Sequence, residues 1–186
     1  MLTPQRRTYI AAGLLLLFVF SSIVMAAPRF AAAPLDFKLR TTDGGEISSE
    51  MLRGDIVVLT FGASWLPLSR EQVKGVQELA DEFGPRNVRI YWVSTDSDSP
   101  KSKNFATDAQ LRSFADKHGL KIAVLRDPEG ALFKQLGVPG NQLPAVVILD
   151  RQGGIAGDPI GGLDPRRKLI DTLSPRLNEM LNNKTR

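Results

Sequence analysis

Continuous apolar segments along the chain have the pattern of buried β-strands. Residues 56–61 read Ile-Val-Val-Leu-Thr-Phe, a β-branched run that is typical of a strand covered on both faces in a mainly parallel sheet. Runs of the same kind at 88–94 and 145–149 predict two further strands, and a shorter run at 123–125 predicts another. The pattern therefore predicts a sheet with a well-covered interior, in which we expect the 56–61 strand to be central.

Between these strands, apolar residues recur at helical spacing. After Pro67, which suits the first turn of a helix, the apolar residues up to Phe83 lie on one face, and the following Gly-Pro pair favours an end there. Further helices are predicted around Leu111, over 131–136 and from Pro165 onward. Strand and helix thus alternate in the middle of the chain, which is the pattern of a βαβ crossover.

Antiparallel strand pairs are predicted at both ends of this arrangement. Phe37 and Leu39 alternate with polar neighbours, and turn residues at 43–45 lead to a second short strand, which predicts an N-terminal β-hairpin. Near the other end, turn residues at 150–154 lead to a predicted strand at 155–160. The complete order resembles the thioredoxin fold, an α/β fold with a central mixed β-sheet flanked by helices.

The start of the chain has a different character. Residues 9–27 contain no charged side chain, and this stretch of 19 residues is close to the ~20 apolar residues of a membrane-spanning helix. Arg6 and Arg7 precede it, and basic residues favour the cytoplasmic side of a membrane. We therefore expect an N-terminal hydrophobic helix that sends the rest of the chain to the periplasmic side.

These features divide the chain into three parts. Residues 1–27 are interpreted as a signal peptide or a signal-anchor transmembrane helix, and the sequence leaves open whether this leader is cleaved or retained. Residues 28–34, which are small and contain proline, are interpreted as a linker. Residues 35–186 are long enough for one domain with one core. The domain is thus expected to be anchored at the outer face of the cytoplasmic membrane or released into the periplasm.

Charge and composition narrow the classes of function. The chain carries a net charge of +4 at pH 7, but Arg6, Arg7 and Arg29 flank the hydrophobic leader. The other basic residues are mixed with acidic ones and form no block interleaved with aromatics, so nucleic acid is not a predicted partner. The chain contains no cysteine, which excludes disulfides, thiolate metal sites and all cysteine redox chemistry.

One segment carries the resemblance to a known family. Residues 61–70 read Phe-Gly-Ala-Ser-Trp-Leu-Pro-Leu-Ser-Arg, which resembles the F-W-A-x-W-C-x-x-C-R motif of extracytoplasmic thiol–disulfide oxidoreductases of the TlpA/ResA kind. These proteins are related to the AhpC/TSA peroxiredoxins within the thioredoxin superfamily. The family's D-P-x-G, Y-G-V, cis-proline and I-D-x-x-G segments resemble residues 127–130, 136–138, 143–144 and 149–153.

The resemblance covers about residues 35–181 and implies a site that has lost its chemistry. Leu66 and Ser69 occupy the places of the two cysteines. Thr60 stands where thioredoxins carry a buried carboxylate, and Gly62 stands where the family carries tryptophan. The altered motif consists of Trp65, Leu66, Pro67, Leu68 and Ser69. Neither thiol–disulfide exchange nor a peroxiredoxin mechanism is available without a thiolate.

Other chemistries find little support in the residues. Ser69 as a hydrolytic nucleophile would need a base, and the only histidine, His118, is predicted at the C-terminal end of a helix, where a cation suits the dipole. The polar loop at 96–100 lacks the spacing of a calcium loop and is interpreted as solvated. No catalytic residue, metal or cofactor is therefore assigned.

The resemblance also implies a binding groove that does not depend on cysteine. In the family, the residue before the cis-proline pairs its backbone with an extended peptide of the partner, and here that residue is Leu143, followed by Pro144. Together with Trp65, Leu66 and Leu68, these residues form the predicted binding site. Alternatively, Leu66 and Leu68 fold back and cover the old active site.

The leading hypothesis is a redox-inactive thioredoxin-like domain that binds a protein or peptide in a chaperone-like or assembly role. It would also meet the membrane through its N-terminal helix if the leader is retained. The alternatives are an oxidoreductase or antioxidant-family enzyme by descent, and an enzyme of another type that uses the same cleft. An enzyme needs a convergent set of polar groups in that cleft, whereas a binding module needs an exposed apolar groove.

Overall fold

The computed structural model describes residues 34–164 and 166–183. The predicted leader at 1–27 and most of the predicted linker lie outside the described residues. Among the helices of the described ranges, none combines the length and the apolar character that a membrane crossing requires.

Within the described ranges, seven strands form one mixed sheet in the order β2-β1-β5-β4-β3-β6-β7. The strands are β1 (Lys38–Thr41), β2 (Glu46–Ser48), β3 (Ile56–Gly62), β4 (Val88–Ser94), β5 (Val124–Arg126), β6 (Ala145–Leu149) and β7 (Ile160–Gly161). The β3–β4 and β4–β5 pairs are parallel, and the other pairs are antiparallel. The predicted N-terminal hairpin is β1–β2, and the predicted antiparallel end of the sheet is β6–β7.

Four α-helices flank the sheet in the described part of the chain: α1 (Pro67–Phe83), α2 (Asp108–Lys117), α3 (Ala131–Gln135) and α4 (Leu169–Asn182). Pro67 is in the first turn of α1, where its missing N–H leaves no hydrogen bond unmade. At the start of α2, Thr107 and Gln110 form a reciprocal capping box, which satisfies two backbone N–H groups that the helix itself cannot pair.

The sheet separates two apolar cores. On one face, α1, α2 and α4 pack against the sheet through residues such as Val73, Leu111 and Leu173. On the other face, α3 packs against the sheet through Phe133, and Phe37, the residue before β1, belongs to the same apolar cluster. All residues of β3 are buried because both faces are covered, as its continuous apolar sequence predicted.

The structure corrects two boundaries near the C-terminus. The strand predicted at 155–160 is reduced to the two residues of β7 and an isolated bridge at Ile155. Gly157 has φ +79°, which interrupts an extended strand, and Pro159 cannot donate to a ladder. The last helix begins at Leu169 rather than at Pro165, because the Asp164 carboxylate accepts from the backbone N–H of Arg166 at 3.0 Å and holds a turn there.

Candidate functional site

The altered motif lies where two parallel strands end. Gly62, the last residue of β3, pairs with Ser94, the last residue of β4, so the loops that follow both strands leave the same edge of the sheet. The loop after β3 contains Trp65 and leads directly into α1. In open α/β sheets this edge is where ligands bind, so the motif occupies a position suited to a functional site.

The two residues in the places of the cysteines have different environments. Leu66 is half-buried and precedes the first turn of α1, whereas Ser69 is fully buried within that turn. The Ser69 Oγ accepts a hydrogen bond from the backbone N–H of Ala63 at 3.0 Å. The serine hydroxyl therefore stabilises the loop from inside and is shielded from any substrate.

His118 does not serve Ser69 as a base in the described structure. It follows α2 as its C-cap, packs against Phe114 with ring centroids 4.7 Å apart, and forms no hydrogen bond with Ser69 among the described residues. Burial, followed by the charges of Lys117, Arg70 and Lys74, lowers the pKa of His118. The predicted position of His118 at the end of a helix is confirmed. Burial and the neighbouring cations nevertheless disfavour the protonated imidazole, which is the form that would suit the helix dipole.

A buried polar cluster occupies the space beside Gly62. The Trp92 Nε1 donates to the Gln72 Oε1 at 3.3 Å, and the Gln72 Nε2 donates to the carbonyl oxygen of Ala145 at 3.1 Å. A Cβ on Gly62 would lie 2.8 Å from the Ser69 Oγ and 2.9 Å from both the Gln72 Oε1 and the Trp92 Nε1. The family's tryptophan therefore cannot fit at this position, because Trp92 from the neighbouring strand fills the space.

A buried carboxylate fixes the loop that carries Trp65. Asp96 is 1% exposed. Its Oδ2 accepts from the Ser64 backbone N–H and from the Ser94 Oγ, and its Oδ1 accepts from the Ser64 Oγ, each at 2.8 Å. The interpretation of residue 96 as part of a solvated loop is thus wrong, because three hydrogen bonds satisfy the carboxylate inside the protein.

A buried arginine holds the loop after β4 from the opposite side. Arg126 of β5 donates through Nη1 to the Ala106 carbonyl oxygen and the Asp108 Oδ1, each at 2.9 Å. Its Nη2 donates to the Asp96 carbonyl oxygen at 3.2 Å. The guanidinium thereby joins the loop after β4 to the sheet. Asp96 lies in this loop, so Arg126 also helps to position the carboxylate that binds Ser64.

The predicted binding residues differ in exposure. Trp65 is 50% exposed and Leu68 is 37% exposed. Leu66 and Leu143 are half-buried, and Pro144 is buried. The Leu143–Pro144 peptide bond is cis. Leu66 is thus largely covered, whereas part of the Leu68 side chain remains accessible beside Trp65.

Sheet register and hydrogen bonds bring the two halves of the predicted site to one edge. Phe61 of β3 pairs with Ala145 of β6, so Pro144 lies beside the point where the motif loop begins. Gln72 of α1 bonds to the Ala145 carbonyl, and the Gly162 N–H bonds to the Pro144 carbonyl at 3.0 Å. These contacts tie α1, the cis-proline strand and the loop after β7 together.

Sequence reasoning missed several residues of the site. Gln72 is a polar residue next to the apolar stripe of α1, and this break in the pattern was the one available signal. Trp92, Asp96 and Arg126 carried no signal, because each acts through partners that are distant in the chain. In the described ranges, no group of three or more histidine, aspartate or glutamate side chains is arranged to hold a metal ion.

The fold, the cis-proline and the motif position define a thioredoxin-like α/β domain whose redox motif contains no cysteine. The family model described as "AhpC/TSA family" matches residues 31–157. The chain therefore belongs to the AhpC/TSA family. The prediction of an AhpC/TSA-related, thioredoxin-like protein in which both cysteines are replaced is confirmed.

Individual relatives agree with this assignment. The chain is 26% identical to "Thioredoxin-like protein YneN" of Bacillus subtilis over 128 residues, and this matched segment covers 68% of each protein. It is 25% identical to the solved exposed lipoprotein thioredoxin Etrx1 of Streptococcus pneumoniae, with a TM-score of 0.61 over 78% of this chain and 99% of that one. A putative thiol:disulfide interchange protein DsbE of Chlorobium tepidum, 20% identical, shares the fold with a TM-score of 0.66 over 81% and 96% of the two chains.

Proposed function

We propose that this chain is a redox-inactive thioredoxin-like domain that binds a protein or peptide at the outer face of the cytoplasmic membrane. The binding site is the motif surface, which consists of Trp65, Leu66, Leu68, Leu143 and Pro144. The observation that carries the proposal is an exposed tryptophan and leucine on a loop that buried hydrogen bonds hold in place.

The absence of cysteine removes the ancestral reaction. A leucine at the nucleophile position has no lone pair to attack a disulfide, and a buried serine cannot form one. Ser69 of the motif and Asp96, which holds the loop before it, already have internal hydrogen-bond partners. The site is therefore better suited to recognition than to catalysis.

The exposed side chains of the motif surface suit a binding role. Trp65 and Leu68 place apolar area in water, and covering that area with a partner is favourable. Tryptophan is also prominent among the residues that dominate binding energy at interfaces. Because Asp96 fixes Ser64 beforehand, little conformational entropy is lost when a partner binds Trp65.

The location of the domain is proposed on two grounds. The uncharged stretch at 9–27 with Arg6 and Arg7 before it has the character of an export or anchor segment. One similar protein, Etrx1, is described as an exposed lipoprotein thioredoxin. Both grounds favour an extracytoplasmic domain, held at the membrane if the leader is retained.

Co-purification of the full chain from its native membrane tests the binding role. Trp65→Ala combined with Leu68→Ala should lose the bound protein that co-purifies with the wild-type chain. Met51→Ala is the matched control, because Met51 is 64% exposed but lies outside the motif surface. Retention of the same partner by the double variant would contradict the proposed site.

A further inference from the structure

A cleft lies directly beside the motif surface. Its volume is about 320 Å³, and its walls are α1 and residues of the ranges 160–164 and 166–172. Leu68 belongs both to the cleft and to the motif surface. The hydrogen bond between Gly162 and Pro144 joins the second wall to the cis-proline. The cleft is therefore a continuation of the proposed binding site along the side of α1.

The walls of the cleft are partly apolar. Helices α1 and α4 are in close contact at the base of the cleft. A Cβ on Gly75 of α1 would lie 2.8 Å from the Cβ of Leu169, the first residue of α4. Leu68, Ile160 and Leu163 add apolar surface. The volume is at the lower end of the ~300–1,000 Å³ that ligand sites span, which is room for a few side chains rather than a folded domain.

The charges of the cleft are unusual for this domain. Arg166, Arg167 and Lys168 form the only run of three consecutive basic residues in the chain, and all three line the cleft and are exposed. The described ranges as a whole are slightly acidic. Five of the 24 basic residues of the chain lie outside these ranges and all 20 acidic residues lie within them, so the described domain has one more acidic residue than basic. The described lining of the cleft has four basic and three acidic side chains, so its net charge is +1 in a domain whose described residues carry a net charge of −1.

Two of the lining cations already have partners inside the cleft. Lys74 pairs with Glu71 at 3.3 Å, and Arg166 pairs with Asp164 at 3.1 Å. Arg167 and Lys168 form no salt bridge with any described residue. Glu78 is the remaining lining carboxylate, so the unpaired basic side chains outnumber the unpaired acidic ones two to one.

We infer that the cleft receives an acidic segment of the bound partner. This inference rests on the proposed function and adds the chemistry of the ligand. The partner is an extended peptide whose apolar residues contact the motif surface and whose aspartate or glutamate side chains reach Arg167 and Lys168. A concave site with apolar walls and unpaired cations suits such a peptide better than a flat anionic membrane surface.

Selection from a random peptide library displayed on phage tests the inference. The library is panned on the wild-type chain, on the double variant Arg167→Glu/Lys168→Glu, and on Lys117→Glu/Lys121→Glu. The last variant changes the net charge equally at exposed lysines outside the cleft. We expect acidic residues next to apolar ones in the wild-type and control selections. The cleft variant should instead prefer lysine or arginine, and it should bind a selected acidic peptide about tenfold more weakly.

The outcomes separate this inference from the proposed function. Apolar peptides without an acidic preference would overturn the acidic partner and leave the motif surface intact as a binding site. If no peptide is enriched on the wild-type chain, the proposed function itself fails. If the cleft variant loses only its binding to phosphatidylglycerol vesicles, with peptide preference unchanged, a lipid surface replaces the peptide as the ligand.

Discussion

At the scale of single residues, buried side chains fill the space beside Gly62 in the altered motif region. Three buried polar atoms from Ser69, Gln72 and Trp92 surround the place where a side chain would begin. Trp92, on the neighbouring strand, therefore occupies the space that a side chain at position 62 would enter.

Gly62→Ala should destabilise the domain by about 1–3 kcal/mol, because the added methyl group overpacks a buried cluster that cannot move without losing hydrogen bonds. Urea unfolding measures the change. Gly84→Ala is the control for an exposed glycine, since φ is −55° and no residue outside its chain neighbours lies within 4 Å of its Cβ position, so its only expected cost is the clash of an αR alanine with the ring of Pro85. Equal stability of the two variants would show that the cluster adapts freely.

Asp96→Asn should loosen the loop that carries Trp65. The neutral amide accepts through one oxygen only, so at least one of the three hydrogen bonds from Ser64 and Ser94 is lost and the others no longer have a charged acceptor, a change that costs about 1–3 kcal/mol. Hydrogen exchange at the Ser64 amide should accelerate. Asp98→Asn, an exposed change in the same loop, should leave exchange unaltered. Unchanged protection of Ser64 in Asp96→Asn would refute the role of this carboxylate.

At the scale of elements, the predictions succeeded where burial alone decides structure. The strand predicted at 88–94 is β4 residue for residue, and α1 begins at Pro67 as predicted. The prediction failed at β7 and at the start of α4, where a positive φ at Gly157 and the Asp164 turn override a weak local pattern. The hydrogen bonds of the site were beyond prediction, because they join segments far apart in the chain.

Positions 66 and 69, which align with the family's two cysteines, lie one helical turn apart at the start of α1. In Leu66→Cys/Ser69→Cys, two thiols one helical turn apart should form a disulfide. Insulin reduction should nevertheless remain much slower than that of an intact family member. Thr60 offers no carboxylate and its hydroxyl donates to the Tyr91 carbonyl at 2.9 Å, and position 69 is fully buried.

The single variant Leu66→Cys is the control for this experiment, since it cannot form the intramolecular bridge. Catalysis by the double variant at the rate of an intact relative would mean that cysteine loss is the sole defect. Failure of the two thiols to oxidise at all would instead contradict the alignment of residues 66 and 69 with the family motif.

At the scale of the whole molecule, the proposed export segment at 1–27 precedes the proposed binding domain. Alkaline phosphatase folds to an active enzyme only outside the cytoplasm. Because Arg6 and Arg7 favour a cytoplasmic N-terminus, a phosphatase fused after Arg186 should lie on the periplasmic side of the membrane and be active. The same fusion without residues 1–27 should be inactive. The proposed orientation would be contradicted if the full-length phosphatase fusion is inactive while a reporter that fluoresces only in the cytoplasm, fused at the same position, is fluorescent.

Site-specific photo-crosslinking tests the central claim, that the altered motif is a binding surface, most directly. A benzophenone amino acid replaces Leu68 in one full-length chain and Met51 in another, and both are irradiated in the native membrane. We expect a discrete protein adduct from position 68 that weakens when Trp65→Ala is added, and none from position 51. Equal adducts from both positions, or no adduct from position 68, would contradict it.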